Sequence, residues 1–203
     1  MSLEKKIAVI DYGGANISSL TFALTRLNAK FTVTNRSEEI SSATHIILPG
    51  VGAAKDAMEK LSQSSLIKTI KNLTQPTLGI CLGMQLLFDY SMEENVECLG
   101  IIGGECRSFD RKKNLPVPHM GWNNVSINKK VPLTNNFNEG SYFYFVHSFY
   151  TPLINETVAT TKYVVPFSSI VQKENFMGTQ FHPEKSGKIG SLMLSNFLSE
   201  CKK

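Results

Sequence analysis

TLGICLGMQLL, residues 77–87, decides how this chain folds. Its opening residues form a short apolar run, the mark of a buried strand, and helix-forming residues follow directly after Cys81. Gly79 and Gly83 bracket the cysteine in G-x-C-x-G spacing. The same spacing around a serine builds a sharp strand-to-helix elbow, in which small neighbours let the backbone fold tightly and the central side chain stands over the sheet edge. A helix starting at Leu82 points its N–H groups and positive dipole end at the thiol, which favours the reactive thiolate. The Leu82 N–H is then placed to donate to an oxyanion. These residues alone leave Cys81 either a nucleophile or a small apolar filler of the core.

Working outward, KIAVID (6–11) reads as a buried strand and the turn YGGAN (12–16) follows it, with Asn16 a candidate N-cap for the helical stretch ISSLTFALTRLN (17–28). KFTVTN (30–35) alternates like a strand, and THIILPGVG (44–52) is a strand running into a glycine-rich loop. AAKDAMEKLSQSSLIKTIKNL (53–73) and LGMQLLFDYS (82–91) read as helices. Strand and helix in alternation predict a parallel α/β sheet. Past residue 98 the pattern changes to short strands separated by turn residues: GIIGGECRSF, WNNVSIN, SYFYFVHSFYT, ETVATTKYVV, SSIVQKE and FMGTQFH. An amphipathic helix, KIGSLMLSNFLSE (188–200), closes the chain. The expectation is one domain over residues 1–203, a three-layer α/β fold with a mostly parallel central sheet and an added antiparallel portion.

The composition narrows the function. The 203 residues are enough to bury a full core without staples. The net charge of +4 is scattered in short lysine pairs, and no dense basic stripe marks a nucleic-acid binder. No apolar run approaches a membrane span, and the apolar run near the start is too short for a signal peptide, so the expected location is the cytoplasm. Cys81, Cys98, Cys106 and Cys201 have no CxxC spacing and no nearby histidine pattern for zinc, so free thiols and no metal are expected.

A thiolate nucleophile needs a base, and the chain offers His45, His119, His147 and His182. His45 opens a strand and reads as a surface or strand-edge residue. His119 and His147 read as structural or interface residues. His182 lies in TQFHPEKSG, directly after an apolar strand, with Glu184 two residues on to orient the imidazole. Cys81 and His182 both fall at carboxyl ends of predicted strands, where α/β sheets place their sites. The loop LPGVGAA (48–54) lacks the G-K-[ST] of a phosphate loop, but its backbone N–H groups suit an anion, with Val51 or Gly52 joining Leu82 in an oxyanion hole.

PGVG, GICLGMQLL and QFHPEKSG, in this order, resemble the class I, or triad, glutamine amidotransferases. VPHMGWN and YFVHSFY resemble, more narrowly, the glutaminase subunits of imidazole glycerol phosphate synthase. The resemblance spans essentially the whole chain and implies the flavodoxin-like fold of that class, with no cofactor. It implies a Cys81–His182–Glu184 triad that hydrolyses glutamine through a thioester. It also implies glutamine contacts from Gln85, Glu93 and the backbone near His147 and Ser148. Ammonia is then expected to pass to a separate (β/α)8-barrel cyclase subunit, docked against Asn16, Trp122, Asn123 and Lys185. Related glutaminase–barrel pairs supply ammonia for amidino sugars of surface polysaccharides, which is the alternative reading. The chain departs from the family pattern at Ala15, usually glycine, and at Phe149, usually tyrosine.

Overall fold

The structure is a computed structural model that describes residues 5–13, 17–110 and 115–199. Its first half alternates β1 (Ile7–Ile10), α1 (Ser18–Arg26), β2 (Phe31–Thr34), α2 (Ser37–Ser42), β3 (His45–Gly50), α3 (Ala54–Gln63), α4 (Leu66–Lys71), β4 (Thr77–Cys81) and α5 (Leu82–Gln85). Strands then dominate: β5 (Phe88–Ser91), β6 (Val96–Glu97), β7 (Ile102–Ser108), β8 (His119–Ile127), β9 (Ser141–His147), β10 (Phe149–Tyr150), β11 (Thr157–Lys162), β12 (Pro166–Lys173) and β13 (Phe176–Thr179), before the final α6 (Gly187–Ser199).

Nine strands form one sheet in the order β2-β1-β3-β4-β13-β12-β11-β8-β9. Its core, from β2 to β13, is parallel, and the pairs from β13 out to β9 are antiparallel. Both faces of the parallel part are covered, so its strands are apolar on both sides. Ile7, Val9, Ile47, Leu78 and Ile80 pack with residues of α1 and α6, while Ala8, Ile10, Ile46 and Leu48 pack with residues of α3 and α4. That makes the expected three layers. A second sheet, β10-β7-β5-β6, adds to the latter side.

Several expectations give way. The helix expected over 82–91 is one short turn followed by a strand. The Leu86, Leu87 and Phe88 carbonyls, which a continuing helix would use, accept N–H groups of Leu99, Gly100, Ile101 and Ile102. The helix expected over 53–73 breaks into α3 and α4 at Ser65, whose φ of 56° is left-handed. Helix α2 is absent from the sequence reading because SEEISS carries one apolar residue, Ile40, and shows no period. SYFYFVHSFYT is two strands, β9 in the large sheet and β10 in the small one, and the chain changes sheets at Ser148. His45 is buried at 3% exposure, edge-on to Phe197, rather than on the surface. The expected N-cap Asn16 and the thiol of Cys201 lie outside the described residues.

Candidate active site

Three carboxyl-terminal strand ends meet at the site. β3 runs into the Gly50–Gly52 loop, β4 ends at Cys81, and β13 leads through Gln180 and Phe181 to His182. Gly50 pairs with Cys81 in the β3–β4 register, which brings the loop to the cysteine. Cys81 has φ 54° and ψ −109°, a conformation costing a side-chain-bearing residue about 1–3 kcal/mol. Such strain persists where the surroundings enforce it. The enforcing contacts are backbone against backbone: a Cβ on Gly83 would lie 1.9 Å from the Leu48 carbonyl oxygen, and one on Gly79 2.6 Å from the Gly83 carbonyl oxygen. The bracketing glycines of the elbow are therefore required by close approach.

Cys81, His182, Val51, Gly52, Leu82, Gln85, Glu93, His147 and Ser148 line one cavity of about 330 Å³. Every catalytic, oxyanion and glutamine-contact residue expected from the sequence, except Glu184, is on this wall. Glu184 stands behind it, its Oε1 2.7 Å from His182 Nδ1, with both side chains nearly inaccessible. His182 Nε2 is buried and makes no hydrogen bond of ordinary length. Burial alone would lower the His182 pKa. Cys81 and Glu184 outweigh it, and the imidazole is pushed up to about 10. His182 is thus an imidazolium beside the sulfur, oriented by a carboxylate. With α5 only four residues long, the helix dipole expected to assist the thiolate is confined to a single turn.

Cys81 Sγ lies 3.7 Å from the Val146 carbonyl oxygen and 3.8 Å from Gln180 Nε2. No motif in the sequence singles out Gln180. Its signal is its position two residues before His182, on the same side of an extended chain. Gln85 spends both amide hydrogens, on the Phe149 carbonyl at 2.9 Å and on Gln180 Oε1 at 3.0 Å. Its carbonyl is the group left to meet a ligand. Glu93 Oε2 accepts the Ala54 N–H at 2.9 Å; burial raises the carboxyl pKa and that bond lowers it. The departure at Phe149 removes a hydroxyl and keeps the carbonyl that Gln85 uses. Cys98 and Cys106 are unsuited to nucleophilic work, since burial pushes the first up to about 12 and the second well above the usual thiol value.

The residues expected at a partner interface fall elsewhere. Trp122 is 55% exposed and shares an outer face of β8 and β9 with exposed Met120 and Tyr142. Lys185 is exposed beside Glu184. Asn123 is half-buried, and Asn16 lies outside the described residues. Among the described residues, no cluster of histidine, cysteine or carboxylate side chains suits a metal ion. No helix among them is long and apolar enough to cross a membrane.

A strained cysteine, a charged imidazole and a buried carboxylate on an α/β sheet are the equipment of a thiol-dependent acyl-transfer enzyme. The family model for class-I glutamine amidotransferases matches residues 8–201. Imidazole glycerol phosphate synthase subunit HisH 2 of Legionella pneumophila is 50% identical over 193 residues, covering 95% of this chain and 97% of that protein. The HisH subunit of Pasteurella multocida is 48% identical, covering 98% of this chain and 100% of the other. A chain of the PurLQS structure from Thermotoga maritima superposes with a TM-score of 0.72 at 20% identity, over 97% of this chain and 98% of that one. The chain belongs to the class-I glutamine amidotransferases, and it is an enzyme of the glutaminase kind.

Proposed function

We propose that this chain is the glutaminase subunit of an imidazole glycerol phosphate synthase. The observation that carries the reading is the buried His182–Glu184 pair facing the strained Cys81 across one cavity. Its likeness to HisH subunits over nearly their whole length supports the pathway.

In this reading His182 holds the proton of the Cys81 thiol, and the sulfur attacks the side-chain amide carbon of glutamine. The oxyanion is met by the Leu82 N–H and by the Val51 or Gly52 N–H. The His182 imidazolium gives its proton to the departing nitrogen, and ammonia leaves a glutamyl thioester on Cys81. His182, now neutral, takes a proton from water, and the resulting attack frees glutamate. Glu184 keeps the imidazole oriented through both steps. Gln85 offers its carbonyl and Glu93 a carboxylate to the bound glutamine, Glu93 toward its ammonium group. Backbone near His147 and Ser148 meets the other end.

Ammonia then passes to a (β/α)8-barrel cyclase subunit in a heterodimer. There it joins a phosphorylated ribulosyl aminoimidazole carboxamide to give imidazole glycerol phosphate and an aminoimidazole carboxamide ribotide. The exposed Met120, Trp122 and Tyr142 face fits such a partner, because aromatic anchors dominate interfaces. The test is glutamate release from glutamine, by this chain alone and with the barrel subunit and its nucleotide ligand. Strong stimulation in the complex supports the reading. An active glutaminase that stays indifferent to that partner points to the amidino-sugar alternative.

A further inference from the structure

A chain of hydrogen bonds runs from β8 inward to the floor of the Cys81 cavity. Asn123 Nδ2 lies 3.2 Å from His119 Nε2, His119 Nδ1 lies 2.9 Å from His147 Nε2, and His147 Nδ1 lies 2.7 Å from the Phe149 carbonyl. That carbonyl also accepts from Gln85, which donates in turn to Gln180, which reaches the sulfur.

The donors can be ordered from the ends. A carbonyl only accepts, so His147 Nδ1 carries a hydrogen. Burial keeps both rings neutral, holding His147 down at about 3 and His119 at about 4. A neutral ring has one N–H, so His147 Nε2 is a lone pair and His119 Nδ1 must donate to it. His119 Nε2 is then left to accept from the Asn123 amide. The Phe149 carbonyl accepts from both His147 and Gln85, so the chain cannot relay a proton through it. It can only hold groups in place. Both rings sit among aromatic side chains: His119 stacks on Tyr163 at 4.0 Å, and His147 lies 5.1 Å from Phe167. Polar atoms in such a cluster cost free energy unless fully bonded, and here each ring satisfies the other.

We propose that His147, locked in its Nδ1–H form by His119, is a positioning residue that aims the Phe149 carbonyl and, through it, the Gln85 amide at bound glutamine. The proposal rests on the glutaminase reading above. Leu and Asn have nearly the same size and shape, but only Asn keeps a donor near the Nδ1 position. In the complex with the cyclase subunit, His147→Leu should raise the KM for glutamine roughly tenfold, the loss of one hydrogen bond, with kcat within about threefold. His147→Asn should recover most of that loss. Equal KM values for the two variants, or a loss confined to kcat, would overturn the proposal in favour of simple packing. The ring tautomers give a readout independent of activity. Nitrogen-15 spectra of histidine-labelled wild-type protein should show His119 and His147 neutral with hydrogen on Nδ1, and an Nε2–H ring at either position removes the lock. A wild-type complex that releases no glutamate defeats the glutaminase reading instead, and the tautomers still decide the lock.

Discussion

Gly83→Ala tests the elbow most directly. The added methyl carbon would stand 1.9 Å from the Leu48 carbonyl oxygen and 2.9 Å from its carbon. Carbon and oxygen settle at about 3.3 Å or more, so one backbone must retreat by roughly 1.4 Å. Leu48 belongs to β3 and leads straight into the Gly50–Gly52 loop, so the retreat separates that loop from Cys81. Overpacking against unyielding backbone costs about 3 kcal/mol. In a domain of this size that lowers Tm by about 6–12 °C. A displacement of about 1 Å at reacting groups costs about 100-fold in rate, so glutaminase activity should fall at least that far. Gly103→Ala is the control: its methyl would find only Asp89 Oδ2, at 3.9 Å, and should leave both quantities near wild type. Differential scanning calorimetry and glutamate release measure the two effects. If Gly83→Ala melts within about 2 °C of wild type and keeps its activity, the close approach does not shape the site, and the reasoning fails.

Cys81→Ser should abolish glutamine-dependent synthesis by the complex while leaving ammonia-dependent synthesis intact; loss of both would make Cys81 a structural residue. The His182 pKa lies at about 10 in the folded protein, above its unfolded value near 6.5. Between those values the folded state binds the extra proton, so the pair's contribution to stability is complete below about pH 6.5 and is lost as the pH rises through about 10. Thermal unfolding from pH 6 to 10.5 should show this decline, with a shallower slope in Glu184→Gln; parallel slopes would deny the coupling. Trp122→Ala, on an open face, should change stability by less than about 0.5 kcal/mol. It should nevertheless weaken binding of the cyclase subunit by roughly 30-fold, the effect of losing an anchor worth about 2 kcal/mol. A titration with Kd within twofold of wild type would place the interface elsewhere.

Legible in the residues alone were the alternation of strands and helices in the first half, the elbow at Cys81, and His182 with Glu184 at a strand end. These are local: the G-x-C-x-G spacing, an apolar run, and an acid two residues from a histidine are set by neighbours in the chain. The marks of the family were legible too, since those motifs keep their order along the chain. The remaining features depend on partners far away in sequence, and folding alone brought those partners together. Phe88–Ser91 is a strand rather than a helix because Leu99–Ile102, and the strand β7 that starts there, claim the backbone from Leu86 onward. SYFYFVHSFYT divides between two sheets because β8 and β7 compete for its two ends. His45 is buried because Phe197 of α6 packs on it. That Gln180 reaches Cys81 and that His119 pairs with His147 became legible only when residues 28 to 99 positions apart met at hydrogen-bond distance. A periodic pattern records which face of a segment is apolar; which neighbour takes its backbone and polar groups is settled by the packing of the whole chain.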